Sequence, residues 1–362
     1  MQSEVKLNIP SRKFVEPRIS IAELTSIIQS GPYLNGPFTN EFESKFSNYL
    51  SIRNVILVSS GTEALRLAIT ALNLPNNKKI GILPNCGGYA QIAAKLSNHN
   101  IKYLEINSNG LMDLDLFVKN WTQDIGAIVV THLFGQNQDL SQIIDFCKKK
   151  NIFIIEDCAQ SSGSYINSKA TGGQGHISTF SFYPTKNLST VGDAGAVATN
   201  DDNLAIKIRK LREYGWSERY DAELHLGNNS RNDEIHASVL IKQLDFLDLD
   251  IKERKDIWAR YKENASEQIE FIGLDDNTYS CHLCVVRVDD QKHFRNYMSN
   301  LGIETAVHYP LLDFDQKAFK TTKDGFTKSR AWVSSIVTIP LFTKMNQTEV
   351  DQVIKALRKY GK

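Results

Sequence analysis

The chain has 362 residues, of which 41% are hydrophobic, and its formal net charge at pH 7 is +1. This length can bury a large core and favours two domains over one. Because charges of both signs are interspersed, we expect neither nucleic-acid nor membrane-surface binding. The apolar runs are far shorter than a membrane span and the N-terminus lacks a signal-peptide pattern, so we expect a cytoplasmic protein.

Strand candidates alternate with helical patterns through the first two thirds of the chain. The short apolar runs predicted to be strands are residues 55–58, 80–83, 101–104, 125–131, 152–155, 178–182 and 194–199. Apolar residues at helical spacing predict helices at residues 63–72, 90–96 and 140–150. Such alternation predicts an α/β fold with a large, mostly parallel, doubly wound sheet, whose ligands bind at the carboxyl ends of the strands.

The last third of the chain has a different pattern. A long helix is predicted at residues 233–260, followed by a strand at residues 283–288 and helices at residues 291–301 and 347–360. These elements suffice for a smaller α+β domain. We therefore predict a large domain of residues 1–248 and a small C-terminal domain of residues 249–362.

The five cysteines offer little sign of a metal or redox site. Cys281 and Cys284 have CxxC spacing, but no second pair follows. In the strand-like run around them, their side chains would point to opposite faces. We expect free, buried thiols in a reducing compartment and no bound metal.

The most informative residue is Lys186, which stands between an apolar run and the glycine-rich segment Val191-Gly-Asp-Ala-Gly195. Asp157 follows the apolar run at residues 152–155. Most lysines are solvated surface charges, but this one does not lie in a polar helical pattern. A lysine that forms a Schiff base and an acid that keeps a pyridine nitrogen protonated are what a pyridoxal phosphate enzyme requires. We predict that Lys186 and Asp157 are its catalytic residues.

A phosphate turn is predicted where Ser60-Gly61-Thr62 follows one strand and opens a helix. The free N–H groups of a first helical turn bind phosphate, and glycine permits close approach. Taken alone, this turn is at least as consistent with an ordinary helix cap. With Asp157, Ser181 and Lys186 in the same alternation, phosphate binding becomes the favoured interpretation. Gln160 is expected near the phenolic oxygen of the cofactor ring.

These motifs resemble those of the DegT/DnrJ/EryC1/StrS sugar-nucleotide aminotransferases, within the fold-type I pyridoxal phosphate enzymes. The resemblance covers nearly the whole chain. The matching segments are residues 31–37, 40–46, 60–65, 132–136, 156–160, 180–188, 227–233, 337–342 and 347–351. The segment at residues 180–188, which contains Lys186, is the most specific of them.

The resemblance implies a role for each matching residue. Lys186 would form the Schiff base and shuttle the proton, while Asp157 would pair with the pyridinium nitrogen. Gly61, Thr62 and Ser181 would hold the phosphate. Asn229 would reach the cofactor phosphate of a neighbouring subunit, which implies a homodimer with shared active sites.

Two segments depart from the family pattern. The family places an aromatic residue over the cofactor ring where this chain has Gly88, and Tyr89 follows one residue later. We therefore expect Tyr89 to contact the cofactor through a local shift, unless the ring is covered differently. Residues 311–316, which follow His308, lack the proline and histidine that relatives commonly carry. This second departure concerns the substrate pocket.

The segment at residues 214–220 resembles members that act on 3-keto-6-deoxy sugar nucleotides. We therefore expect amination at C3 of a dTDP-linked 3-keto-6-deoxyhexose, with L-glutamate as the donor and pyridoxamine phosphate as the intermediate. The product would be an amino sugar nucleotide for polysaccharide or glycoconjugate biosynthesis. Candidate substrate-binding residues are Tyr183, Arg219, Arg231 and His308, although both arginines could equally be surface or interface charges. Amination at C4, a keto-cyclitol substrate and a non-catalytic cofactor-binding regulator remain alternatives.

Overall fold

The computed structural model describes residues 8–320 and 325–361, so residues 1–7, 321–324 and 362 of the predicted domains lie outside the described residues. A seven-stranded sheet and a three-stranded sheet contain most of the strands. In chain order the strands are β1 (Asn54–Val58), β2 (Lys79–Ile82), β3 (Ile101–Tyr103), β4 (Ile125–Thr131), β5 (Phe153–Asp157), β6 (Tyr165–Ile166), β7 (Lys169–Ala170), β8 (Ile177–Ser181), β9 (Gly195–Thr199), β10 (Trp216–Glu218), β11 (Asp221–Ala222), β12 (Glu270–Phe271), β13 (Cys284–Arg287) and β14 (Ile336–Ile339).

The central sheet has seven strands in the order β1-β9-β8-β5-β4-β2-β3. Strand β9 runs antiparallel to both of its neighbours, and the remaining pairs are parallel. Every residue of β4 is buried, as expected for a parallel strand that is covered on both faces. This sheet confirms the predicted mostly parallel α/β architecture.

Helices cover the sheet on both faces. In chain order, the helices of the described residues are α1 (Ile21–Ser30), α2 (Pro37–Leu50), α3 (Gly61–Ala71), α4 (Tyr89–Leu96), α5 (Leu114–Asn120), α6 (Ser141–Lys150), α7 (Asp202–Arg212), α8 (Glu234–Leu244), α9 (Leu247–Asn264), α10 (Gln291–Asn300), α11 (Thr327–Ser335) and α12 (Gln347–Lys359). One buried cluster joins α3, α4 and α7 to one face of the sheet. Other clusters join α2 and α8, and α5 and α6, to the sheet.

The C-terminal part contains the antiparallel sheet β12-β13-β14. Its apolar cluster includes side chains of α9, α10 and α12 and also Ile9 from the N-terminal segment. Helix α12 begins with a capping box, in which Asn346 accepts a hydrogen bond from the Glu349 N–H and the Glu349 carboxylate accepts one from the Asn346 N–H. The domain boundary after residue 248 falls inside α9 and stays a prediction.

Two local predictions are wrong. The helix expected at residues 233–260 is interrupted between α8 and α9, where Arg18 donates hydrogen bonds to Gln243 of the first helix and Asp250 of the second. Cys281 precedes strand β13 and has a positive φ of 49°, so the strand pattern did not extend to it. All five cysteines are free and buried, as expected. Among the described residues, no helix has both the length and the apolar character needed to cross a bilayer.

Candidate active site

A cavity of about 490 Å³ opens at the carboxyl ends of the parallel strands. It lies where Thr131 ends β4, Asp157 ends β5 and Ser181 ends β8. The lining residues are Arg12, Ser60, Gly61, Thr62, Leu65, Cys86, Tyr89, Thr131, Leu133, Asp157, Ala159, Gln160, Ser181, Tyr183, Thr185, Lys186, Asp193, His282, His308 and Tyr309. Nine of the predicted site residues therefore share one cavity.

The start of helix α3 forms one end of the cavity. Gly61 is its first residue, and the Ser60 side chain caps the helix by accepting a hydrogen bond from the Glu63 N–H. A Cβ atom on Gly61 would lie only 2.6 Å from Cβ of Ser181, so the glycine brings the helix N-terminus against β8. The Glu63 carboxylate is held by Arg66 and Ser230, which reduces its repulsion of an anion. This end of the cavity suits a phosphate group.

Asp157 lines the same cavity and is only 6% exposed. Its Oδ1 accepts a hydrogen bond from the Ala159 N–H at 3.1 Å and its Oδ2 accepts one from the Thr131 hydroxyl at 3.4 Å. Burial raises the pKa of Asp157, while Ala159, Lys186, His132 and Thr131 act in the opposite direction. A buried carboxylate held in this way is suited to pair with a cationic N–H group.

Lys186 follows β8 on a loop that is tied down on both sides. Its backbone N–H donates to the Tyr183 carbonyl, and the next residue, Asn187, donates from its side chain to the Ser280 carbonyl at 2.9 Å. The Lys186 side chain lines the cavity and is half-buried. Burial and, to a smaller extent, the charge of Arg12 lower the pKa of Lys186 to about 8, against the opposing effect of Asp157. The amine is therefore readily deprotonated near neutral pH.

A buried hydrogen-bond network surrounds Glu156, the residue that precedes Asp157. His132 accepts a hydrogen bond at Nδ1 from the Gln138 N–H, so its Nε2 carries the proton and donates to Glu156 at 3.0 Å. The Gln174 and Gly175 N–H groups also donate to Glu156. Although His132, Glu156 and Cys158 lie within 4.8 Å of one another, the protein's own hydrogen bonds occupy their polar atoms.

The first departure from the family pattern has a structural explanation. Gly87 and Gly88 both have positive φ, +76° and +83°, a conformation that favours glycine. A Cβ atom on Gly87 would lie 3.0 Å from the rings of both Tyr89 and Tyr309. These rings meet edge to face with centroids 6.1 Å apart. Tyr89 lines the cavity, and its predicted contact with the cofactor stays a prediction.

Gln160 and His308 are fixed by cavity residues. Gln160 accepts a hydrogen bond from the Phe134 N–H and donates one to the Tyr309 hydroxyl at 3.0 Å. His308 accepts at Nε2 from Arg12 and donates from Nδ1 to the Thr338 hydroxyl at 2.8 Å. Burial, assisted by Arg12 and Lys186, lowers the pKa of His308 to about 4, so this imidazole is neutral near pH 7.

Three predicted residues lie outside this cavity. Arg219 and Arg231 line a separate surface cleft of about 550 Å³ with Tyr214 and Trp216. Asn229 is exposed, and its side-chain oxygen accepts a hydrogen bond from Arg231 at 3.0 Å. The chain therefore does not bring these residues to its own lysine.

The polar cavity residues that sequence reasoning missed include Arg12, His282 and Tyr309. His282 was considered only as part of the CxxC spacing, yet it donates from Nδ1 to the side-chain oxygen of Asn187 at 3.3 Å. Arg12 lies in an N-terminal segment without a recognisable motif. Tyr309 adjoins His308, and that adjacency was the one available signal for it.

The sequence and fold match those of known enzymes. A model of the DegT/DnrJ/EryC1/StrS aminotransferase family matches residues 17–358. The dTDP-3-amino-3,6-dideoxy-alpha-D-galactopyranose transaminase of Aneurinibacillus thermoaerophilus is 36% identical over 346 residues, covering 93% of this chain and 94% of that protein. Among solved structures, S. venezuelae DesV in complex with a ketimine intermediate has a TM-score of 0.88 at 28% identity, covering 97% and 98% of the two chains.

A second solved structure, that of NtdA from Bacillus subtilis with bound cofactor PMP, has a TM-score of 0.87 at 25% identity and covers 97% of this chain and 87% of NtdA. The chain belongs to the DegT/DnrJ/EryC1/StrS aminotransferase family. It is a pyridoxal phosphate-dependent aminotransferase. The family, fold, enzyme class and cofactor expected from the sequence are confirmed.

The cavity itself fits this cofactor. The close approach of Gly61 to Ser181 makes an anion cradle at one end. Asp157 supplies a buried carboxylate for a ring N–H, and Lys186 supplies an amine of lowered pKa. These groups are the donors and acceptors that pyridoxal phosphate requires.

Proposed function

We propose that this chain transfers the amino group of L-glutamate to C3 of a dTDP-linked 3-keto-6-deoxyhexose. The resulting amino sugar nucleotide would serve polysaccharide or glycoconjugate biosynthesis. The relative at 36% identity, named as a transaminase of a dTDP-3-amino-3,6-dideoxyhexose, supports this choice of substrate. The observation that carries the chemistry is the placement of Lys186 and Asp157 in one cavity at the carboxyl edge of the sheet.

Lys186 is proposed to move the proton in both half-reactions. When bound, pyridoxal phosphate supplies the electron sink that makes loss of a proton from the donor's α-carbon feasible. The Lys186 amine has a pKa of about 8, so near neutral pH it can accept that proton and return it. Its loop is fixed by Asn187 and Ser280, which keeps the amine at a defined place in the cavity.

Asp157 is proposed to hold the proton on the ring nitrogen. Its carboxylate is buried and accepts two hydrogen bonds from the described residues, at 3.1 and 3.4 Å, so it retains acceptor capacity toward the cavity. A carboxylate in a low-dielectric site attracts a cationic N–H more strongly than one in water. Gly61, Thr62 and Ser181 are proposed to bind the phosphate, and Gln160 to lie near the ring's phenolic oxygen.

Tyr183 and His308 are proposed to contact the sugar. Tyr183 is exposed on the cavity wall, and His308 presents a neutral imidazole. Neutral hydrogen-bonding groups suit the hydroxyl and keto groups of a hexose. Because its imidazole is neutral, His308 would contact the substrate without adding a positive charge beside Lys186.

We further propose a cytoplasmic homodimer with shared active sites. The free cysteines agree with a reducing compartment. Arg231 already binds Asn229 and pairs with Glu213 at 3.4 Å. Arg219 forms no ion pair within the described parts of the chain and stacks on Tyr220 at 4.9 Å, so it is the better candidate for the substrate diphosphate. Because Arg231 occupies the Asn229 oxygen, the Asn229 amide can still donate to a partner's phosphate.

The substrate proposal is tested by offering the cofactor-loaded enzyme and L-glutamate three acceptors. These are a dTDP-3-keto-6-deoxyhexose, its 4-keto isomer and a keto-cyclitol, with Lys186→Ala as the inactive control. We expect amino-sugar product from the 3-keto nucleotide. Preferential turnover of either other acceptor would overturn the proposed substrate, and turnover by Lys186→Ala would overturn the role of the lysine.

The shared-site proposal is tested by mixing two inactive variants, Lys186→Ala and Asn229→Ala. In a mixed dimer, one site carries both lesions and the other carries neither. Random exchange should therefore restore about a quarter of wild-type activity, since half of the dimers are mixed and each has one intact site. If the mixture stays inactive although subunit exchange is demonstrated, Asn229 does not act across the interface.

A further inference from the structure

The N-terminal segment places an arginine at the mouth of the cavity. The Ile9 N–H donates to the Gly302 carbonyl at 2.8 Å, and the Val15 N–H donates to the Pro184 carbonyl at 2.9 Å. The segment is therefore fixed to the C-terminal part at one end and to the loop before Lys186 at the other. Arg12 lies between these anchor points and lines the cavity.

The guanidinium of Arg12 is held by neutral groups only. Nη1 donates to His308 Nε2 at 3.2 Å, and Nη2 donates to the Thr185 hydroxyl. These contacts use two of the five N–H donors of an arginine. Arg12 forms no ion pair with any described residue, including Asp157 and Asp193, the two acids that line the cavity. Within the described part of the chain, Arg12 is thus a positioned cation without a counter-charge.

The position of this charge relative to Lys186 indicates what it binds. The cavity lining has two groups that carry a positive charge near pH 7, Lys186 and Arg12, because burial lowers the pKa of both His282 and His308. Arg12 is close enough to Lys186 to depress the pKa of that amine. The phosphate cradle lies instead at the start of α3. An anion on Arg12 would therefore lie beside the place where amino groups are exchanged.

We propose that Arg12 binds a carboxylate of the amino donor, an inference that rests on L-glutamate as the proposed donor. A guanidinium fork matches a carboxylate in shape and charge. The diphosphate of the sugar nucleotide is attached at C1, away from the reacting C3, and so would not occupy the same place. His308 and Thr185 orient the fork without neutralising it, so the charge remains available to each incoming donor. Both the α- and the side-chain carboxylate have the required chemistry.

The test uses Arg12→Gln, which removes the charge but can still donate hydrogen bonds to His308 and Thr185. The affinity of L-glutamate is measured from single-turnover spectra, and that of glutarate, which cannot react, is measured by calorimetry on the cofactor-loaded enzyme. We expect about 10- to 100-fold weaker binding of both, from the loss of a charge-assisted hydrogen-bonded pair. Lys13→Gln is the matched control, because Lys13 is the next residue and pairs with Glu349 at 3.3 Å outside the cavity. The affinity of Lys13→Gln for L-glutamate and glutarate should change by less than about twofold.

Further measurements distinguish binding of the donor carboxylate from other roles of Arg12. The reaction of pyridoxamine phosphate-loaded Arg12→Gln with the keto-sugar nucleotide should be weakened less than its reaction with L-glutamate, because the sugar brings no carboxylate to the guanidinium. An equal loss in both half-reactions, or a loss confined to the sugar nucleotide, would overturn the inference. Comparing L-glutamate with L-alanine identifies the carboxylate: equal losses indicate the α-carboxylate, and a loss with glutamate alone indicates the side-chain carboxylate.

Two controls keep the result decisive. If Arg12→Gln does not fold, Arg12→Lys is used, since it keeps the charge but loses the fork and should bind glutarate several-fold more weakly. Unchanged glutarate affinity in that variant would overturn the inference. If wild type reacts with glutamate but with none of the sugar nucleotides, the proposed substrate fails while the glutamate and glutarate arms still decide the role of Arg12.

Discussion

Replacing Gly61 with alanine should separate cofactor binding from folding. The new Cβ atom would lie 2.6 Å from Cβ of Ser181 and 3.2 Å from its Cα, about 1 Å inside an ordinary carbon–carbon contact. Because backbone as well as side chain is in the way, a rotamer change cannot relieve the clash. The start of α3 and the end of β8 must therefore separate.

The expected magnitude follows from this separation. Overpacking typically costs about 1–3 kcal/mol, and replacing glycine returns about 0.4–1 kcal/mol through the unfolded chain. We therefore expect a modest loss of stability. The groups of α3 and β8 that are proposed to bind the phosphate would move apart. Losing one charge-assisted hydrogen bond should weaken cofactor binding about 10- to 100-fold.

The assay is a spectroscopic titration of cofactor-free protein with pyridoxal phosphate, combined with thermal unfolding. Gly173→Ala is the matched control, because a Cβ atom there would meet only the Ala170 carbonyl oxygen, at an ordinary 3.5 Å. It should bind the cofactor as wild type does. Wild-type affinity in folded Gly61→Ala would refute the assignment of this turn as the phosphate cradle.

Three further outcomes are expected. Asp157→Asn should lower turnover far more than cofactor retention, measured by comparing activity with bound cofactor after dialysis; equal losses would indicate an anchoring role. Cofactor capture by the free protein should accelerate as pH rises through about 8, because the pKa of Lys186 is lowered to about 8 and only the neutral amine reacts; a rate that is flat across that range would contradict this value. Burial raises the pKa of Asp313 from 3.8 to about 7. Below pH 3.8 the carboxyl group is protonated in both the folded and the unfolded protein. As pH rises from 3.8 through 7, burial opposes ionisation in the folded protein alone, so the free energy of unfolding falls. Asp313→Asn should therefore melt higher than wild type at pH 8 but not at pH 4, and equal melting temperatures at pH 8 would contradict the shift.

The sequence predicted the elements whose signals are local. Strand β4 is a continuous apolar run, and α3 combines a capping serine with apolar residues at helical spacing, so both were located within a residue or two. The break between α8 and α9 has no proline or glycine to mark it. It coincides with contacts to Arg18, more than two hundred residues away in sequence, which periodicity cannot reveal.

The residues of the candidate site also include some with a local sequence signal and some without one. Lys186 and Asp157 could be predicted because each follows an apolar run in a chemically specific segment, and both line the cavity. Arg12 could not, because its place depends on how the N-terminal segment crosses to Gly302 and Pro184. Asn229 and Arg219 are exposed and outside their own chain's cavity, so the roles proposed for them would require a second subunit.

The most direct test of the account is the near-visible absorption of purified protein with pyridoxal phosphate, recorded before and after addition of L-glutamate. We predict a band of lysine-bound cofactor that disappears with glutamate while an equivalent amount of 2-oxoglutarate is released. The band should be absent in Lys186→Ala. A protein that forms no such band, or whose band is unchanged by glutamate and releases no 2-oxoglutarate, would contradict the proposed glutamate-dependent transamination at this site.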